Sequence, residues 1–138
     1  MSENPTQRAS QARLVSAERF AAITSLIGEG AVFEGDFFTS RDLGIRIDGR
    51  VKGAIRIDIG GAVHIGPTAV VEGTSIEADH IYIEGRVSGQ LLARKTLEIT
   101  GSATVIGDAQ YDGLLDIHPK ARIRGQLIYR GDMDEASV

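Results

Sequence analysis

Histidine is the side chain best suited to proton transfer near neutral pH, and the chain has 3 of them, His64, His80 and His118. A catalytic base for acyl transfer or a set of metal ligands is what such residues would supply. His64 and His118 lie three periods apart in a repeat of eighteen residues. Stacked at ~4.8 Å per turn they would still be roughly 14 Å apart, beyond the reach of one metal. A two-residue shift in the repeat also places Gly66, rather than His64, in register with His118. All three are read as surface histidines, and no catalytic, cofactor-binding or metal-binding residue is assigned.

Arg50, Arg86 and Arg122 occupy one outward column on alternate turns, with Val70 and Thr104 between them. Such a stripe could read an acidic partner, but Asp48 and Glu84 balance it locally. Exposed ion pairs contribute only ~0–1 kcal/mol, so the column is read as a solvated face. Neither GxxxxGK[ST] nor GxGxxG occurs, which leaves phosphate cradling without support. Cysteine is absent, excluding disulfides and thiolate sites and fitting a reducing compartment. The net charge of −4 carries no basic footprint, so no nucleic acid is expected. No apolar run reaches the ~18–20 residues of a membrane span, and the N-terminus lacks a leader pattern. The expected location is cytoplasmic.

These residues must be positioned by something, and the sequence shows by what. "IDGRVKG" at 47–53 returns as "IEGRVSG" at 83–89. Gly35, Gly53, Gly89, Gly107 and Gly125 fall on one comb of period eighteen, with Gly73 two residues late. An apolar column follows the comb through Phe33, Val51, Val71, Val87, Val105 and Ile123, and a second is read as Ile45, Val63, Ile81, Ile99 and Ile117. Within a row apolar residues alternate with polar ones, the period of a strand. A chain of short strands that rejoins the same column every turn is a parallel β-helix. About six turns, three faces and ~18 residues per turn are expected, and crossover preference favours the right-handed form. With 42% hydrophobic but only 5% aromatic residues and no Trp, the core must be aliphatic. The 17 glycines would mark corners with positive φ or too little room for a Cβ.

Six turns make a rod only ~25–30 Å long with two open strand edges, and an uncapped apolar edge is a template for another chain. Phe33, Phe37 and Phe38 crowd the first turn, and Ile123, Leu127, Ile128 and Tyr129 the last. These seven are the candidate polymerisation interface. Outside the repeat, residues 1–24 are read as a flexible tail whose Leu14, Val15 and Phe20 are candidate membrane contacts; residues 25–131 form the β-helix domain, and 132–138 an acidic flexible tail.

From "SLIGEGAVFEGDF" through "IRIDGRVKGAI" and "IYIEGRVSGQLLARKTLEITGSATVIGDAQYDGLLDI" to "PKARIRGQL", the chain resembles the bactofilins, bacterial cytoskeletal proteins. The resemblance implies a right-handed β-helix that assembles end to end into filaments without nucleotide, like ends meeting. It also implies a scaffold for cell-wall, polarity or chromosome-segregation proteins. Where family members often carry a last-turn phenylalanine that supports polymerisation, this chain has Ile123, with Tyr129 the nearest aromatic. Where many begin with a hydrophobic membrane-targeting peptide, "MSENPTQRAS" is polar. Homopolymer, cargo of those kinds and peripheral contact at the inner face of the membrane are the partners expected, with no cofactor. Two other readings stand beside this one, a small β-helical enzyme of the acyltransferase kind and a monomeric adaptor whose tails cap its ends.

Overall fold

The computed structural model describes residues 23–39, 44–58 and 60–130. Fourteen strands and no helix are found among them. They run β1 Ile23–Ile27, β2 Val32–Glu34, β3 Phe37–Thr39, β4 Gly44–Ile47, β5 Arg50–Lys52, β6 Ile55–Ile57 and β7 Ala62–Ile65. Then come β8 Val70–Ile83, β9 Arg86–Ile99, β10 Thr104–Ile106, β11 Ala109–Tyr111, β12 Leu114–Ile117, β13 Arg122–Arg124 and β14 Leu127–Tyr129. Every pairing is parallel, and the chain coils into a β-helix. β8 and β9 pass through corners unbroken and so serve more than one face.

Each of three faces is a ladder of six rungs. The first stacks β1, β4, β7, the ends of β8 and β9, and β12. The second stacks β2, β5, the starts of β8 and β9, β10 and β13. The third stacks β3, β6, the middles of β8 and β9, β11 and β14. The column Phe33, Val51, Val71, Val87, Val105, Ile123 is observed rung for rung as the spacing predicts. Its four middle members are fully buried. The second expected column is corrected. Ile81 stacks on Leu97, and it is Ile83 that stacks on Ile99. The turn from first to second face varies in length, four residues at Gly66–Ala69 but two at Glu84–Gly85, and so moves the register by two.

Glycine holds the corner between second and third faces. Gly53, Gly89, Gly107 and Gly125 all have φ between +131° and +145°. A Cβ on Gly107 would strike the carbonyl oxygen of Gly89 one rung away, and one on Gly125 that of Gly107. Both the left-handed backbone and the close approach exclude any larger residue there.

Candidate functional site

The inward columns are continuous in the middle of the rod and open at its ends. At the N-terminal end Ile27, Phe33 and Phe37 pack only partly against the core. Between them, floored by Ile45, Val51 and Ile55, lies an apolar cavity of about 160 Å³. At the C-terminal end Leu115, Ile117, Ile123 and Tyr111 are likewise half covered. Leu127 and Tyr129 remain 40% exposed, and the rings of Tyr111 and Tyr129 lean together at 5.3 Å. Among the described residues β1, β2 and β3 pair on one side alone, as do β12, β13 and β14. Among the described residues each end therefore presents strand edges paired on one side around an apolar centre.

Strand parity divides the candidate residues. Phe33, Phe37, Ile123, Leu127 and Tyr129 belong to inward columns at the two ends. Phe38 and Ile128 point outward on the third face, in the row of Arg56, Glu77, Leu92 and Gln110. Leu26 and Val32 were not singled out in the sequence, yet with Phe38 they put one exposed large apolar residue outside each face of the first turn. The signal was available in the alternation, because all three sit one residue away from an inward member of the same rung. Leu14, Val15 and Phe20 lie outside the described residues.

The histidines follow a different pattern from the surface positions expected. The structure keeps His118 exposed, but His64 is a correction. It points outward from the first face and is nevertheless only 6% exposed. Its Nε2 lies 2.7 Å from Glu84, its Nδ1 lies 3.4 Å from Arg46, and its ring meets Tyr82 edge-on at 4.8 Å. Arg46 is in turn forked onto Asp48 at 2.7 and 3.1 Å. His80 Nδ1 is 2.7 Å from the Thr96 hydroxyl. Asp116, and not His118, stands in the column of His64. Tyr82 is 2% exposed; burial, with the carboxylates of Glu84 and Glu98 beside it, raises its pKa well above the ordinary phenol value.

A second polar cluster locks the corner from third to first face. Arg94 donates to Asp79 at 2.8 Å and to the carbonyls of Ile57 and Asp58. The Gly60 N–H donates to the other Asp79 oxygen at 2.7 Å. Burial by itself would raise the Asp79 pKa, but the Arg94 and Gly60 hydrogen bonds and the charges of Arg94 and Lys95 outweigh it and hold the carboxyl below its usual value. No group of three or more His, Cys, Asp or Glu with metal-holding geometry occurs among the described residues. No described helix is long and apolar enough to cross a membrane.

Comparison with known proteins places this geometry. The model of the family described as "Bactofilin: Polymer-forming cytoskeletal" matches residues 25–128. The chain is similar to Bactofilin BacO of Myxococcus xanthus (strain DK1622), 28% identical over 110 residues that cover 80% of this chain and 78% of the relative. No solved structure matches.

Proposed function

Because the chain belongs to the bactofilin family of polymer-forming cytoskeletal proteins, we propose that it assembles end to end, without nucleotide, through the two open turns of its β-helix. The observation that supports this most directly is the fate of the inward columns, fully buried at Val51, Val71, Val87 and Val105 and half open at Phe33 and Ile123. A second copy set on either end continues core and ladders together. Each large aliphatic side chain it covers contributes ~1.5–3 kcal/mol, and strand pairing fixes the direction. The contacts are Phe33, Phe37 and Phe38 at one end and Ile123, Leu127, Ile128 and Tyr129 at the other, with Phe38 and Ile128 at the rim. Like ends meet, giving a filament without polarity.

The polymer is a scaffold that positions cell-envelope, polarity or chromosome-segregation proteins in the cytoplasm. It is not an enzyme, a reading supported by the commitment of His64 and His80 to structural partners. Contact with the inner face of the membrane through Leu14, Val15 and Phe20 is a separable proposition, checked by co-sedimentation with liposomes.

The test of assembly is negative-stain microscopy of purified protein in nucleotide-free buffer, with Leu127→Arg and Ile123→Arg beside the wild type. Filaments from the wild type and short soluble species from the variants are expected. Unchanged filaments from both variants would sink the end assignment. A cysteine placed at Leu127 of this cysteine-free chain cross-links to its own counterpart if like ends meet.

A further inference from the structure

The described cations divide by face. Arg46 is held by Asp48, Arg56 by Asp58 and Glu77, Arg94 by Asp79 and Glu77, Lys95 by Asp79 and Arg130 by Asp112. These lie on the first face, the third face or the corner between them. Arg50, Lys52, Arg86, Lys120, Arg122 and Arg124 have no ion pair among the described residues. All are exposed, and all sit on the second face or, for Lys120, in the turn that leads into its last strand.

Sequence spacing assigns Asp48 and Glu84 to balance this column, and the structure corrects that. Asp48 is forked by Arg46, and Glu84 lies 2.7 Å from His64 Nε2, so both carboxylates are engaged by the first face. Where Asp48 precedes Arg50 and Glu84 precedes Arg86, the next repeat sets Lys120 before Arg122. Arg50, Arg86 and Arg122 stand on alternate rungs, ~10 Å apart, with the uncharged Val70 and Thr104 between them. Glu34 and Glu72, the carboxylates of the neighbouring row, lie on the first and third rungs. From Arg86 onward the outward side of the face carries cations alone.

We infer that the outward side of the second face lies on an anionic lipid surface. Its cations are spread over ~24 Å of the rod, and a headgroup layer is flat on that scale. The inner strands of this face are paired on both sides, which leaves them no edge onto which an acidic peptide could add as a strand. Val32, 63% exposed, and the half-covered Val70 and Ile106 interleave with the cations. That mixture suits the boundary between headgroup and acyl chain better than a nucleic-acid backbone, which is held by polar contacts. The net charge of −4 does not oppose the contact, because Asp79 and Asp112, at the corner opposite this face, lie ~10 Å or more behind it, beyond a Debye length of ~8 Å. The contact is made by the coil itself and is separate from any made by Leu14, Val15 and Phe20.

The experiment is vesicle flotation of the full chain, in which bound protein rises with the lipid and free polymer sinks. Vesicles of equal parts phosphatidylglycerol and phosphatidylcholine should carry the wild type up, and phosphatidylcholine alone should not. Salt at ~1 M, with a Debye length of ~3 Å, should release it. Each cation at an anionic surface is worth about fivefold in partition. Arg86→Gln with Arg122→Gln should therefore lower the partition ~25-fold, and Arg50→Gln with Arg124→Gln by a similar factor. Arg56→Gln, on the third face and already paired, should change it little. Thermal melts by circular dichroism confirm that each variant is folded, and the two double variants are independent of one another.

Equal flotation on phosphatidylcholine alone overturns the inference, as does equal partition of the wild type and both double variants. If Leu14→Asp with Phe20→Asp abolishes flotation while the face variants leave it intact, the contact belongs to the N-terminal segment and the face is excluded. A wild type that stays down with phosphatidylglycerol overturns it too, and a gel shift with duplex DNA or retention on polyglutamate then names the polyanion instead. The inference does not rest on assembly, and micrographs of the same samples keep the two apart. A chain that forms no filaments and still floats retains the lipid contact, whereas filaments that stay down with phosphatidylglycerol remove it.

Discussion

Val87 and Ile123 stand in the same inward column, two rungs apart, and their side chains differ by one methylene. Val87 is enclosed between Val71 and Val105 and fully buried. Ile123 has Val105 on one side and only partial cover on the other. In a solenoid each rung touches only its neighbours, so the same residue type that is enclosed in the middle is left half covered at the end, where the proposed assembly would use it. The difference lies in position along the axis, and substitutions along one column should separate folding from assembly.

The largest effect is expected at the centre. Val87→Asp buries an unpaired carboxylate, and thermal melts by circular dichroism should show the fold lost, a cost of about 4 kcal/mol or more. Gly107→Val should come close to it, since it forces a β-branched residue to a φ of +131° against the Gly89 carbonyl, where strain of ~1–3 kcal/mol adds to a steric clash. Val105→Ala against Ile123→Ala is the sharper comparison. In a background that stays short, the first should cost ~1.5–3 kcal/mol and the second clearly less, whereas in the polymerising chain Ile123→Ala should cut sedimentable polymer while Val105→Ala leaves the ends unchanged. Equal costs from both substitutions would remove the distinction between middle and end.

Smaller still is the acid effect at Asp79. Its pKa in the fold lies below that of the unfolded chain, so the stability it contributes is fully present above about pH 4 and is lost as pH falls through the folded value. Asp79→Asn should flatten the acid limb of a stability–pH profile, with the neutral plateau also lowered because Arg94 loses its charged partner. Arg86→Ala, on the exposed second face, should be indistinguishable from wild type in both melting and sedimentation.

The inward columns were legible because glycine and valine repeat with the coil, and the ladder from Phe33 to Ile123 emerged in register from spacing alone. Ile81 and Ile99 were misaligned because the turn between them, Glu84–Gly85, is two residues shorter than the turns at Gly66–Ala69 and Thr100–Ala103, which shifts the count without changing the apolar pattern. Leu127, Ile128 and Tyr129 are all apolar, so their run hid which one points outward, and only pairing with Ala109, Gln110 and Tyr111 decides. The burial of His64, Tyr82 and Glu98 was beyond reach. Alternation tells which way a side chain points and says nothing of what lies over it, so a polar outward row reads as wet.

The orientation of the backbone hydrogen bonds has a mechanical consequence. They run between rungs, along the axis of the rod, as from Gly53 to Glu72 or from Arg86 to Ala69. A pull along a filament would therefore load all three ladders of a rung at once, sharing the force among many bonds that must break together. Within a subunit the glycine corners and aliphatic columns add to that resistance, while a junction of the proposed end-to-end kind would have only the side chains and strand edges of its two terminal turns. Under tension such a filament should part at its joints and leave its units coiled, which makes the strength of the end contact the quantity that sets how much load the structure can carry.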